Sequence, residues 1–171
     1  MTAFTRVSIL IVDDNSHMRR ILSTLVRGFG FVDIREASDG AEALDFLQGR
    51  EFDLILCDIS MSPIDGIEFT TMVRRSPDSP APMIPIIMVT GHTERLKVYA
   101  ARDAGVNEFV AKPVTAVALL QRINEVILRP RPFVRAKSYF GPDRRRRTDS
   151  NYKGSFRRSS DGDDQDTYEL G

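Results

Sequence analysis

The chain has one cysteine, no long apolar run and no glycine-rich phosphate loop, and each shortage removes a class of protein. Cys57 alone cannot close an internal disulfide, which excludes a disulfide-stapled secreted scaffold. No stretch approaches the roughly eighteen consecutive apolar residues of a membrane-spanning helix. The opening, Met1 to Arg6, runs into a strand-like segment without a signal-peptide core or cleavage site. A cytoplasmic protein without membrane insertion is therefore expected. Asp13-Asp14-Asn15 follows the first strand where a nucleotide-binding domain would carry glycines, so nucleotide binding is disfavoured.

What is present looks globular. The 171 residues are 42% hydrophobic and 28% charged, close to ordinary usage and to a length prior of about 150 residues for one domain. The net charge of zero hides an asymmetry. Residues 1–128 hold 13 basic and 17 acidic side chains, residues 129–158 hold 11 against 2, and residues 159–171 hold none against 5. Charge blocks of that kind mark extensions more often than packed domains. The expected division is a compact body over 5–128 and a basic-then-acidic tail over 129–171, largely disordered.

The body alternates strand and helix. Val7 to Val12 is a short apolar run of the kind buried in a parallel sheet. Met18, Ile21, Leu22, Leu25, Val26 and Phe29 follow at helical spacing, with Ser16 as the expected N-cap. Phe31 to Ala37, Asp53 to Cys57, Pro85 to Thr90 and Glu108 to Ala111 read as further strands. Helices are expected after Asp39-Gly40, after Asp65-Gly66, from Thr93 to Ala104 and from Val114 to Ile127, with Pro130 and Pro132 as stops. Five strand-then-helix units imply an α/β fold, a five-stranded parallel sheet with helices on both faces. Sites in such sheets lie beyond the carboxyl ends of the strands. Those ends carry Asp13-Asp14, Asp58, Thr90-Gly91-His92 and Lys112-Pro113.

Three carboxylates and one ammonium at one sheet edge call for a counter-charge. Two carboxylates about 4 Å apart repel by about 4 kcal/mol at an effective dielectric of about 20. Lys112 alone cannot neutralise three of them, whereas a hard divalent cation such as Mg²⁺ or Mn²⁺ can, and it keeps positions open for phosphate oxygens.

At these residues the sequence resembles the receiver domain of two-component response regulators. Asp13-Asp14, Asp58, Thr90 and Lys112-Pro113 stand in that family's order, and Asp13 to Arg20 is especially similar to its stand-alone, CheY-like members. The resemblance covers about residues 5–128. It implies a flavodoxin-like strand order of 2-1-3-4-5 and phosphoryl transfer to Asp58 from a sensor histidine kinase or a histidine phosphotransfer protein. It further implies metal ligation by Asp13, Asp14, Asp58 and the backbone carbonyl of Ser60. Lys112 and Thr90 would hold the phosphoryl group, Phe109 would switch its packing, and the bond preceding Pro113 would be cis. An unidentified downstream protein would read the result.

Some residues depart from that pattern. Pro63 comes one place later than usual after Asp58, Phe109 replaces a frequent tyrosine, and Ser60 and His92 fill places expected to influence acyl-phosphate hydrolysis. Cys57 reads as a small buried hydrophobe, and His17 and His92 as solvent-facing side chains without metal-ligand companions. The enzyme alternative is a Mg²⁺-dependent phosphatase or phosphotransferase with an aspartyl-phosphate intermediate. Such enzymes need an acid two residues past the nucleophile, where this chain has Ser60, so a non-enzymatic switch is expected. In the tail, Arg144, Arg145, Arg146 and Arg147 beside Tyr139-Phe140 suggest a partner-docking segment, against the alternative of a solvated extension. Nucleic acid is disfavoured because no helix-turn-helix fits there.

Overall fold

The computed structural model describes residues 4–91, 95–145 and 166–168. Its first ten elements alternate as expected: β1 (Ser8–Val12), α1 (Ser16–Gly28), β2 (Asp33–Ala37), α2 (Gly40–Gly49), β3 (Leu54–Asp58), α3 (Gly66–Arg75), β4 (Ile86–Thr90), α4 (Arg95–Ala104), β5 (Glu108–Ala111) and α5 (Ala116–Leu128). The five strands pair in parallel in the order β2-β1-β3-β4-β5.

Side chains alternate across a strand, so each apolar run feeds two cores. Leu10, Val12, Ile55, Cys57, Ile86 and Met88 pack on the face covered by α2, α3 and α4, against Leu47, Phe69, Val73 and Ala101. Ile9, Ile11, Leu54, Leu56, Ile87 and Val89 face α1 and α5, against Leu22, Val26, Leu119 and Ile123. The three central strands are buried along their whole length, which explains why they read as continuous apolar runs. Each fully buried Leu or Ile contributes about 1.5–3 kcal/mol.

Two differences from expectation at the ends of elements bear on capping and packing. Asn15 caps α1 in place of Ser16, its side-chain oxygen accepting from the amides of His17 and Met18 at 2.9 and 3.1 Å. Phe31 belongs to the loop before β2, where it is buried and stacked on Phe4 with ring centroids 4.6 Å apart. At α3 the Asp65-to-Glu68 spacing makes a capping box, Asp65 accepting from Glu68 N while Glu68 accepts from Asp65 N.

Over residues 129–145 the structure departs from the expected disordered tail, while 146–165 and 169–171 lie outside the described residues. β6 (Phe133–Ala136) and β7 (Tyr139–Pro142) form an antiparallel hairpin, and β8 (Asp166–Tyr168) pairs with the other edge of β6. The hairpin packs through β7 on α3 and α4. Phe133 is fully buried and Phe140 nearly so. The Arg74 guanidinium lies 4.9 Å from the Phe133 ring and donates to Gly105 O, Pro82 O and Asn107 Oδ1 at 3.1, 2.9 and 3.0 Å. Burial lowers its pKa to about 9. Gly105 (φ +108°) and Gly141 let the two backbones meet: a Cβ at Gly141 would come within 2.8 Å of Gly105 Cα, and one at Gly105 within 2.8 Å of Phe140 O.

Candidate functional site

Each candidate side chain arrives where its strand stops. Asp13 and Asp14 follow β1, Asp58 ends β3, Thr90 ends β4 and Lys112 follows β5. Register brings them together, since Val12 pairs with Cys57 and Asp58 with Val89. Ligand oxygens of Asp13, Asp14 and Asp58 lie within 4.8 Å of one another. Asp13 is fully buried and Asp58 is 3% exposed, while Asp14 faces solvent. Lys112 Nζ donates to Asp58 Oδ1 at 2.7 Å.

The carboxylates carry more negative charge than the protein neutralises. Asp13 Oδ1 accepts from the Asn15 amide at 2.9 Å, but its buried Oδ2 has no hydrogen-bond partner. Burial raises the Asp13 pKa from 3.8 to about 6, helped by the charges of Asp58 and Asp14 and opposed by the Asn15 amide and Lys112. An orphaned buried oxygen among three carboxylates is what a divalent cation would satisfy, so the residues fit that group.

The expected switch residues are placed as follows. Thr90 is buried at the end of β4, its carbonyl accepting from Lys112 N at 2.7 Å. Phe109 is half-buried against the core face shared with α4. Ser60 is exposed, and its Oγ accepts from Lys97 Nζ at 3.2 Å. The Lys112–Pro113 bond is cis, as is Ser62–Pro63. His17 is exposed, and burial pushes the Cys57 thiol far up, so it stays protonated. Arg144 is engaged locally, 3.1 Å from Asp103 and 4.0 Å from the Tyr139 ring. Arg145 is exposed. His92, Arg146 and Arg147 lie outside the described residues.

Three contributors escaped the sequence reading. Gly66 is one: a Cβ there would fall 2.3 Å from Asp58 O, so α3 can approach the end of β3 only without a side chain. Asp65-Gly66 signals a helix start, and nothing local reveals that the glycine faces Asp58. Arg19 donates to Asp13 O at 2.7 Å and lies 3.5 Å from Glu36, steadying the β1 end. Its helical position six residues past Asp13 is the only signal. Lys97 reaches Ser60 across 37 positions, with no sequence cue at all.

Comparison with known proteins decides the family. The sequence model of the response regulator receiver domain matches residues 9–124. The chain belongs to the response regulator receiver family. It is 40% identical over 123 residues to the chemotaxis protein CheY of Pseudomonas aeruginosa, covering 72% of this chain and 98% of that one. Against the chemotaxis protein CheY-3 of Vibrio cholerae the identity is 37%, over 72% and 93% of the two chains. Among solved structures, the Vibrio cholerae chemotaxis protein CheY4 superposes with a TM-score of 0.65 at 30% identity, covering 71% of this chain and 98% of that one. This receiver is thus a phosphorylation-activated signalling switch of two-component systems. Its sheet carries the family's strand order.

Proposed function

We propose that Asp58 is the phosphoryl acceptor and that Asp13, Asp14, Asp58 and the Ser60 carbonyl hold a Mg²⁺ or Mn²⁺ ion. The observation that carries this reading is the orphaned, fully buried Asp13 Oδ2 within a cluster that also holds Asp58 and its Lys112 partner. The cation, when bound, supplies the positive charge that lets a phosphoryl group approach three carboxylates. Asp58 Oδ forms the new bond to phosphorus as the donor's N–P bond breaks and the imidazole of a histidine kinase or phosphotransfer protein departs. Asp58 then gains charge, from −1 to as much as about −2, and Lys112 moves from carboxylate to phosphoryl oxygen. The Thr90 hydroxyl joins it, and Phe109 repacks beside α4.

The energies suffice. Moving a two-state equilibrium from 1:99 to 99:1 needs about 5.5 kcal/mol, and two or three charge-assisted hydrogen bonds at about 1.5–3 kcal/mol each supply it. A partner protein then reads the altered face, and the cytoplasm is where such a kinase-fed switch works. The competing phosphatase reading lacks support, because the position two residues past Asp58 is Ser60, tied to Lys97 and unable to protonate a leaving group.

Incubation with Mg²⁺ and a small acyl phosphate should add one phosphoryl to the intact protein, and none to Asp58→Asn. A phosphoryl retained in that variant, or mapped to His17, would overturn the assignment. Continuous rapid turnover of the donor would favour the phosphatase instead.

A further inference from the structure

We propose that Lys97, placed by Ser60, sets the lifetime of the phosphorylated protein. Its ammonium takes a phosphoryl oxygen on Asp58 and slows hydrolysis of the acyl phosphate, a role that rests on Asp58 being the acceptor. Two lysines approach the carboxyl end of β3 from different elements. Lys112 follows β5 and donates to Asp58 Oδ1 at 2.7 Å. Lys97 comes from the first turn of α4 and places Nζ 3.2 Å from the Oγ of Ser60, two residues past Asp58.

Burial separates the two lysines by task. Asp13, Asp58 and Thr90 are buried, so water reaches the acceptor only past the exposed residues at the rim of the site. Ser60 and Lys97 are both exposed and belong to that rim. The Ser60 hydroxyl fixes where the ammonium waits. A neutral hydroxyl holds an ammonium less strongly than a phosphoryl dianion does, because charge on the acceptor atom strengthens the bond. A lysine's four-carbon stem lets the head move from one to the other without displacing the helix.

The chemistry gives the direction of the effect. In hydrolysis the water oxygen bonds to phosphorus as the bond from Asp58 Oδ breaks. The electron pair returns to the carboxylate, and the water's protons leave with inorganic phosphate. In a loose, metaphosphate-like transition state the phosphoryl oxygens carry less charge than in the resting acyl phosphate, and the departing carboxylate carries more. An ammonium on a phosphoryl oxygen therefore stabilises the resting state more than the transition state, and the phosphoryl group lasts longer. Solvent screens an exposed charge, which limits the effect to about two- to five-fold.

The test charges the full-length protein with a small acyl phosphate in Mg²⁺, removes the donor by desalting, and follows loss of the phosphoryl mass with time. Lys97→Met should take up one phosphoryl as wild type does and lose it about two- to five-fold faster. Lys97→Arg, which keeps the charge, should decay like wild type, and Lys97→Glu at least as fast as Lys97→Met. Rising salt at constant Mg²⁺ should quicken decay in wild type and leave Lys97→Met unchanged. Ser60→Ala should shorten the lifetime less in the Lys97→Met background than in wild type, since the hydroxyl acts through the lysine. Decay of Lys97→Met at the wild-type rate, an acceleration shared by Lys97→Arg, or a Ser60→Ala effect equal in both backgrounds would overturn the proposal and leave Asp58 as the acceptor. Failure of the wild-type protein to take up a phosphoryl group at all would instead overturn the acceptor assignment, and this role with it.

Discussion

Asp13 shows most directly how one residue ties stability to function. Its carboxyl is buried with one oxygen unpartnered, and its pKa stands at about 6 against 3.8 for an ordinary aspartate. The folded protein therefore holds this proton more tightly than the unfolded chain does. Stability from this group is fully present below about pH 4 and is lost as pH rises through about 6. A shift of roughly two pH units corresponds to about 3 kcal/mol as an upper bound. Asp13→Asn should stabilise the metal-free protein by about 1–3 kcal/mol at pH 7 and by little at pH 4, while weakening Mg²⁺ binding. Urea unfolding at the two pH values, with and without Mg²⁺, checks both halves. A gain of equal size at both values would mean that the buried charge is not its source. Arg74, also buried, is the opposite case: three acceptors hold it in place, so Arg74→Met should cost about 2–4 kcal/mol by leaving them unpaired.

At the scale of elements, legibility follows how local the signal is. β1, β3 and β4 were readable because burial on both faces writes a continuous apolar run, and β5 because Gly105 sets it off from the helix before it. The aspartates and lysine of the site were readable because strand ends in a parallel sheet converge, so chain position alone brings them together. The α1 cap was missed by one residue, since Asn15 and Ser16 are both competent caps and only geometry chooses between them. The hairpin was illegible for a different reason. Phe133, Tyr139 and Phe140 sit among arginines and look like a solvated tail, yet Phe133 packs on Arg74 and the Phe140 backbone on Gly105, residues distant in sequence. Gly141→Ala tests that packing. Its new methyl would meet the Tyr139 hydroxyl at 2.6 Å and Gly105 Cα at 2.8 Å, and backbone cannot yield as a side-chain tip can. A loss of about 1–3 kcal/mol in denaturant unfolding is expected. An unchanged midpoint would mean that β7 does not press on α4 in solution.

For the whole molecule, α4 touches both the acceptor end and the extension. Lys97 in its first turns reaches Ser60 beside the acceptor, while Asp103 near its last turn pairs with Arg144 of the extension, and Gly105 just beyond it carries the Phe140 backbone. Glu108, at the start of β5, draws the frame together, lying 3.5 Å from Arg122 of α5 and 3.6 Å from Arg131 at the root of the hairpin. A helix clamped at both ends cannot shift at one without loading the other, because packed interiors transmit strain instead of absorbing it. A phosphoryl group that recruits Thr90 and repacks Phe109 should therefore be felt in β7 as well as in α4. Hydrogen exchange of the full chain, with and without a phosphoryl mimic, should show altered protection over 95–111 and again over 139–142. In Gly141→Ala the change over 95–111 should persist while that over 139–142 falls away, since the second depends on the close backbone contact. Protection changes confined to the loops carrying Asp13 and Asp58 would show that α4 moves independently of the site, and that the hairpin stabilises the domain without taking part in its switching.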